Sequence, residues 1–185
     1  MNLMPIITSR LDKENIPYDT AGTQKAGDTY EYARDFDIDK YSVLAVVGGD
    51  GSCHEVCNGL LARKDGKKLP VAFLPNGSGD DLCNVLGIHS LDDALDALCN
   101  GGKIKIDTIR FLADHETEED VPEERKFFDV RHMMVNGAVS MPCKIANTAV
   151  PMKTCCGKSA YTFAAIKEFC KCSFAHELYE IDIDG

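Results

Sequence analysis

Along the first hundred residues, apolar positions switch between helical spacing and short continuous runs, and each change of period marks an element. Residues 2–14 read as a helix and Ile16–Asp19 as a short strand. From Thr23 to Asp35, Ala26, Tyr30 and Ala33 recur at helical spacing. A strand over Ser42–Val47 leads to a helix over Cys53–Ala62, and a strand over Val71–Leu74 leads to a helix over Asp80–Leu86. A further helix, Leu91–Leu98, follows the cap Ser90. Strands alternating with helices predict a parallel sheet covered on both faces, an α/β doubly wound domain over residues 1–103.

Beyond Gly101-Gly102 the pattern becomes strand-like, with alternation from Ile104 to Leu112 and again from Phe127 to Val135, and a β-hairpin is expected. A helix over Ser159–Phe169 and a strand over Leu178–Gly185 complete the chain. Residues 104–185 are therefore expected to begin a β-rich second domain with too few elements to close.

Both strands of the first domain run out into glycine. Val43 to Val47 is followed by Gly48-Gly49-Asp50-Gly51-Ser52, and Val71 to Pro75 by Asn76-Gly77-Ser78-Gly79. A strand that breaks into glycines before a helix leaves backbone N–H groups approachable by an anion, so two such turns side by side suggest a phosphate cradle and hence a nucleotide. Ser52 with Glu55, and Ser78 with Asp81, have the spacing of capping boxes. In parallel sheets ligands sit beyond the carboxyl ends of the strands, where both turns lie.

Composition narrows the class. The chain has 185 residues, 44% of them hydrophobic, enough for a real core. Its formal charge of −10 argues against a nucleic-acid surface, for which Lys67-Lys68 is the nearest approach to a basic cluster. Residues 114–124 concentrate acid without apolar periodicity and read as a solvated loop. The nine cysteines are an odd number and fall at apolar helix positions (Cys53, Cys57, Cys83, Cys99) as often as in loops, the usage of a reduced, cytoplasmic chain. Cys155-Cys156 with Cys170, Cys172 and His176 matches no zinc spacing. Cys156-Gly157-Lys158-Ser159 mimics the tail of a P-loop, but Met152 stands where the leading glycine belongs. No apolar run has the length of a membrane span.

Taken together, Gly48-Gly49-Asp50-Gly51-Ser52, then Glu55-Val56-Cys57-Asn58-Gly59-Leu60, then Leu74 to Leu82 resemble the catalytic domain of the diacylglycerol kinase and sphingosine kinase superfamily of lipid kinases. The family pattern is GGDGT, E-V-x-N-G-L and P-x-G-T-G-N-D. Thr23, Ile106-Asp107, Gly137, Tyr161 and Asp184-Gly185 extend the likeness over most of the chain. The resemblance implies a phosphofructokinase- and NAD kinase-like nucleotide domain, with ATP and magnesium as cofactors. It also implies γ-phosphoryl transfer to a lipid hydroxyl at a transiently contacted membrane surface. It makes Asp50 the catalytic residue, either as proton acceptor or as a magnesium ligand through water. Thr23, Gly48, Gly49, Gly51, Ser52, Glu55, Asn76, Gly77, Ser78 and Gly79 become the ATP-binding set.

Three positions depart from that pattern. Ser52 and Ser78 keep the hydroxyl of the usual threonines, whereas Asp80 puts a carboxylate where the family has asparagine, in a site meant for anions. The family's first strand and its later Asp-Gly-Glu segment have no counterpart here, so a fragment with little turnover by itself is expected. Sphingosine kinases place an aspartate soon after the glycine matching Gly137, but the stretch from Gly137 to Cys143 has no carboxylate. A neutral, diacylglycerol-like lipid is favoured, with sphingosine or ceramide kinase and a non-catalytic nucleotide-binding module as alternatives. NAD kinases share G-G-D-G-T but lack the second turn. His54 is expected to be an exposed helix residue.

Overall fold

The computed structural model describes residues 2–112, 119–122, 125, 130–134 and 141–171. Its contacts divide the chain into two units, Met1–Val135 and Asn136–Gly185.

In the first unit, β1 (Leu44–Gly48) and β2 (Val71–Pro75) pair in parallel, Leu44 opposite Val71 and Gly48 opposite Pro75. Alternation along the strands sends successive side chains to opposite faces. Val46 and Phe73 join Cys53, Val56 and Leu60 of α3 (Asp50–Leu61), Ala33 of α2 (Asp28–Asp35), and Leu82 and Cys83 of α4 (Asp81–Val85). On the other face Leu74 packs with Ile7 and Leu11 of α1 (Met4–Lys13) and Ala94 and Leu95 of α5 (Leu91–Asn100). The strand pair thus has an apolar cluster on each face. Ser90 Oγ caps α5, accepting from Asp93 N–H at 3.1 Å.

Several expectations need correction. Ile16–Asp19 is not a strand: Asn15 takes a left-handed φ of 55° that ends the turn after α1, and Ile16 N–H bonds back to Leu11 O at 2.9 Å. The second helix begins at Asp28 rather than Thr23, because the Asp28 carboxylate accepts from Gln24 and Lys25 N–H and folds that segment into a turn. These two bonds hold the buried Asp28 carboxyl below its usual range. Neither capping box forms. Gly49 is the N-cap of α3, with Ser52 N–H donating to Gly49 O, and Asp80 is the N-cap of α4 at a φ of 55°.

The hairpin is present but short. Strand β3 (Ile109–Leu112) pairs antiparallel with β4 (Val130–Met133), and it belongs to the first unit because β4 is stitched to α3. Asn58 does the stitching: its Oδ1 accepts from His132 N–H at 2.8 Å and its Nδ2 donates to His132 O at 3.0 Å. One buried side-chain amide thereby completes a strand's hydrogen bonding as a neighbouring strand would. The acidic segment 114–124 lies largely outside the described residues.

In the second unit the described residues form α6 (Met141–Cys156), for which no element was expected, a 3₁₀ turn Gly157–Ser159, and α7 (Ala160–Cys170). The helix expected over Ser159–Phe169 corresponds to α7. Ala149, Ala160 and Ala164 are buried at the α6–α7 contact, where small residues allow close approach, with Ile145, Met152 and Cys156 beside them. Thr148 Oγ1 and Lys171 Nζ both donate to Glu168, and Lys171 foremost holds that carboxyl below its usual range. The strand expected over Leu178–Gly185 lies outside the described residues.

Gly59 sets the spacing of α2 and α3, because a Cβ there would collide with Tyr30 O and meet Ala33 Cβ at 2.9 Å. Gly59→Ala is expected to destabilise the first unit by about 2 kcal/mol, within the usual cost of overpacking. The check is the urea midpoint, read by circular dichroism.

Candidate anion-binding site

Adjacent parallel strands deliver their carboxyl ends side by side, so the two glycine turns leave the sheet as neighbours. Asn76 N–H donates to Gly48 O at 3.0 Å, one ladder step beyond the strands. At the next step the backbones touch: a Cβ on Gly77 would lie 2.5 Å from Gly49 Cα, and one on Gly49 would lie 2.9 Å from Gly77 Cα. Only glycine fits at both positions. Gly48 is fixed by a different neighbour, since a Cβ there would meet Ser52 Oγ at 2.5 Å. Gly51 faces open space.

Asp50, the first residue of α3, reaches across to the second turn. Its Oδ1 accepts from Leu82 N–H in the first turn of α4 at 3.0 Å. Its Oδ2 lies 3.3 Å from where a Cβ on Gly79 would stand, with Asp81 Oδ1 3.6 Å from the same point. Asp80 turns back on its own loop and accepts from Gly77 N–H, at 2.9 Å to Oδ1 and 3.2 Å to Oδ2. The cradle is therefore less bare than the sequence suggests. Carboxylates hold the amides of Gly77 and Leu82, while those of Asp50, Gly51, Ser78 and Gly79 donate to no acceptor among the described residues. Carboxylates at the starts of α3 and α4 also complement the positive ends of those helix dipoles.

Glu55, one turn further along α3, accepts from Gly27 N–H at 3.1 Å and ties α3 to the start of α2. Thr23 is exposed in the segment before that start. The structure thus brings together Gly48, Gly49, Asp50, Gly51, Ser52, Asn76, Gly77, Ser78 and Gly79, with Glu55 as the link towards the Thr23 segment. Hard oxygen donors suit magnesium, which takes one or two carboxylates plus the phosphates of its substrate. The donors here, Asp50 Oδ2 and Asp81 Oδ1, fit that requirement, and no group of three metal-binding side chains gathers among the described residues.

The thiols beside the site are packing groups. Burial raises the Cys53 and Cys83 thiols and pushes Cys57 up to about 11, so all three stay protonated at neutral pH. His54 is half-buried rather than exposed, and burial, followed by the nearby Arg131, lowers its imidazole.

Sequence reasoning missed Asn58 and Arg63. Arg63 Nη1 donates to the carbonyls of Ala33, Arg34 and Phe36 and closes the end of α2, while its side chain pairs with Asp65. A groove of about 920 Å³, lined by Tyr30, Arg34, Asn58, Arg63, Arg110 and His132, lies towards the far end of α3 from the glycine turns. Of the quoted motifs, only Asn58 of Glu55–Leu60 reaches it.

The diacylglycerol kinase catalytic domain, as a family, matches residues 2–111. Sphingosine kinase B of Dictyostelium discoideum is 40% identical over 67 residues, covering 35% of this chain and 9% of that protein. Sphingosine kinase 2 of Arabidopsis thaliana is 35% identical over 107 residues, covering 54% of this chain and 21% of that protein. A diacylglycerol kinase of Staphylococcus carnosus is 32% identical over 107 residues, covering 57% and 34%. The matches span about a third or less of these relatives.

Asp80 puts a carboxylate within the second turn, where it holds Gly77 N–H and would oppose an arriving anion. Two like charges about 4 Å apart near a protein surface repel by more than the roughly 1.4 kcal/mol that makes a tenfold change in affinity. Asp80→Asn keeps an oxygen for Gly77 N–H and suits the left-handed backbone. It is expected to bind inorganic tripolyphosphate about tenfold more tightly than the parent chain, measured by titration calorimetry; equal affinity would free Asp80 of this role.

Proposed function

The chain belongs to the diacylglycerol kinase catalytic domain family, and on that premise we propose that it is the nucleotide-binding part of an ATP-dependent lipid kinase. In this reading the γ-phosphoryl group passes to the hydroxyl of a diacylglycerol-like lipid at a transiently contacted membrane surface. The architecture is read as doubly wound and phosphofructokinase- and NAD kinase-like. Support for it comes from the parallel strand pair with a separate core on each face.

One observation carries the proposal: two glycine turns in backbone contact, bridged by the Asp50 carboxylate on Leu82 N–H, with amides in both turns that donate to no acceptor among the described residues. The amides of Asp50, Gly51, Ser78 and Gly79 would hold phosphate oxygens, and Gly48, Gly49, Ser52, Asn76 and Gly77 would keep the two turns in register. Glu55 and Thr23 would extend the site towards the rest of the nucleotide. Magnesium, when bound, would spread the phosphate charge, with Asp50 and Asp81 as the residues to hold it.

In the transfer, the lipid oxygen forms a bond to the γ-phosphorus as the bond to the ADP oxygen breaks, and the hydroxyl proton must leave. Asp50 Oδ1 is anchored on Leu82 N–H, which leaves Oδ2 to take that proton or to hold magnesium through water. Fixing one oxygen orients the other, the kind of positioning on which phosphoryl transfer depends. The stretch from Gly137 to Cys143 offers no carboxylate to pair with a sphingoid amine, which favours a neutral acceptor. Asp80, by holding Gly77 N–H, favours a second reading in which the chain binds nucleotide without catalysis.

The test uses the complete reading frame with γ-labelled ATP and micelles of diacylglycerol, sphingosine or ceramide. Labelled phosphatidic acid is expected, reduced at least a hundredfold by Asp50→Ala with ATP binding retained. Label on sphingosine or ceramide alone would overturn the acceptor, undiminished transfer by Asp50→Ala would overturn the role of Asp50, and ATP binding with no labelled lipid would favour the non-catalytic reading.

A further inference from the structure

The cysteines of this chain divide by environment. Cys53 and Cys83 are buried in the first unit and Cys57 is largely buried beside them. Cys155 and Cys156 differ: consecutive in sequence at the end of α6, they are exposed and half-buried, with Sγ atoms 3.3 Å apart. Cys155 Sγ also donates to Met152 O at 3.3 Å, which holds that rotamer beside its neighbour. Gly157 follows with a φ of 52° and ends the α-helix there.

We propose that Cys155 and Cys156 form a vicinal dithiol site that chelates soft, thiophilic centres of narrow bite, of which trivalent arsenic is the type. The sulfur separation decides the ligand class. With bonds to sulfur of roughly 2.3 Å, as in thiolate–metal sites, a 3.3 Å span closes an angle of about 90° at the central atom. This suits a pyramidal trivalent arsenical. A linear two-coordinate ion would need the sulfurs more than 1 Å further apart.

A direct disulfide fits less well, because neighbouring Cα atoms are about 3.8 Å apart, short of the usual disulfide span of roughly 4.4–6.8 Å. Chelation leaves the helix as it stands and holds the second thiol at high effective concentration once the first has bonded.

The reaction with phenylarsine oxide balances without an oxidant. Two S–As bonds form, the As–O bond breaks, and the oxygen leaves as water with the two thiol protons.

The experiment treats the full reduced chain with one equivalent of phenylarsine oxide and follows it by intact and tryptic mass spectrometry. Cleavage after Lys153 and Lys158 isolates residues 154–158, which hold this pair and no other cysteine. The adduct is expected on that peptide, resistant to excess monothiol and removed by ethanedithiol. Cys155→Ser, at an exposed position, should make the adduct at least tenfold more sensitive to monothiol without changing the helical circular dichroism. An adduct on the peptides bearing Cys170 or Cys172, or unchanged resistance in Cys155→Ser, would overturn the proposal.

Discussion

Two parallel strands lie about 4.8 Å apart, and when both end in turns at the same level there is no room between them for side chains. Gly49 and Gly77 meet that constraint by omitting theirs, each occupying the space that a Cβ of the other would need. The start of α3, the turn before α4 and the amides around them all take their positions from this contact. A larger residue at either place would separate the turns and the donors that face a common ligand. Glycine is required here by close approach rather than by an unusual φ, since the left-handed residue of the second turn is Asp80.

Carboxylates hold the loops around the two turns. Asp50 bonds Leu82 N–H, Asp80 bonds Gly77 N–H, Glu55 bonds Gly27 N–H, and Asp28 bonds the amides of Gln24 and Lys25. Each satisfies a backbone donor that a loop would otherwise leave to water. In the proposed function this arrangement has a cost, because a polyphosphate would arrive among fixed negative charges. Magnesium is suited to relieve that repulsion, which would be a physical reason for the proposed nucleotide site to depend on a metal in a chain of net charge −10.

What the sequence made legible follows from where the information is local. Strands β1 and β2 are short apolar runs ended by glycine, and α5 has a capping serine, so all three stood within a few residues of their observed bounds. The spatial meeting of the two turns followed from parallel pairing. The capping boxes misled because Gly49 and Asp80 cap the helices instead: Ser52 lies inside the first turn of α3, and Ser78 stands two residues ahead of the cap of α4. Helix α6 was missed because Pro151 argues against a helix running through it, although Ile145, Ala149, Met152 and Cys156 recur at helical spacing and could have revealed it. The part played by Asn58 was out of reach, since its partner His132 is remote in sequence and nothing local to either residue marks the pair.

The central claim is that the two touching turns receive phosphates on their open amides. Amide-detected NMR of the isotopically labelled chain during titration with magnesium and ATP tests it most directly. The account predicts that the resonances of Gly51, Ser78 and Gly79 shift first and furthest, while those of Arg34 and Arg110 in the distant groove stay in place. Saturable binding that leaves the turn amides unmoved would contradict it.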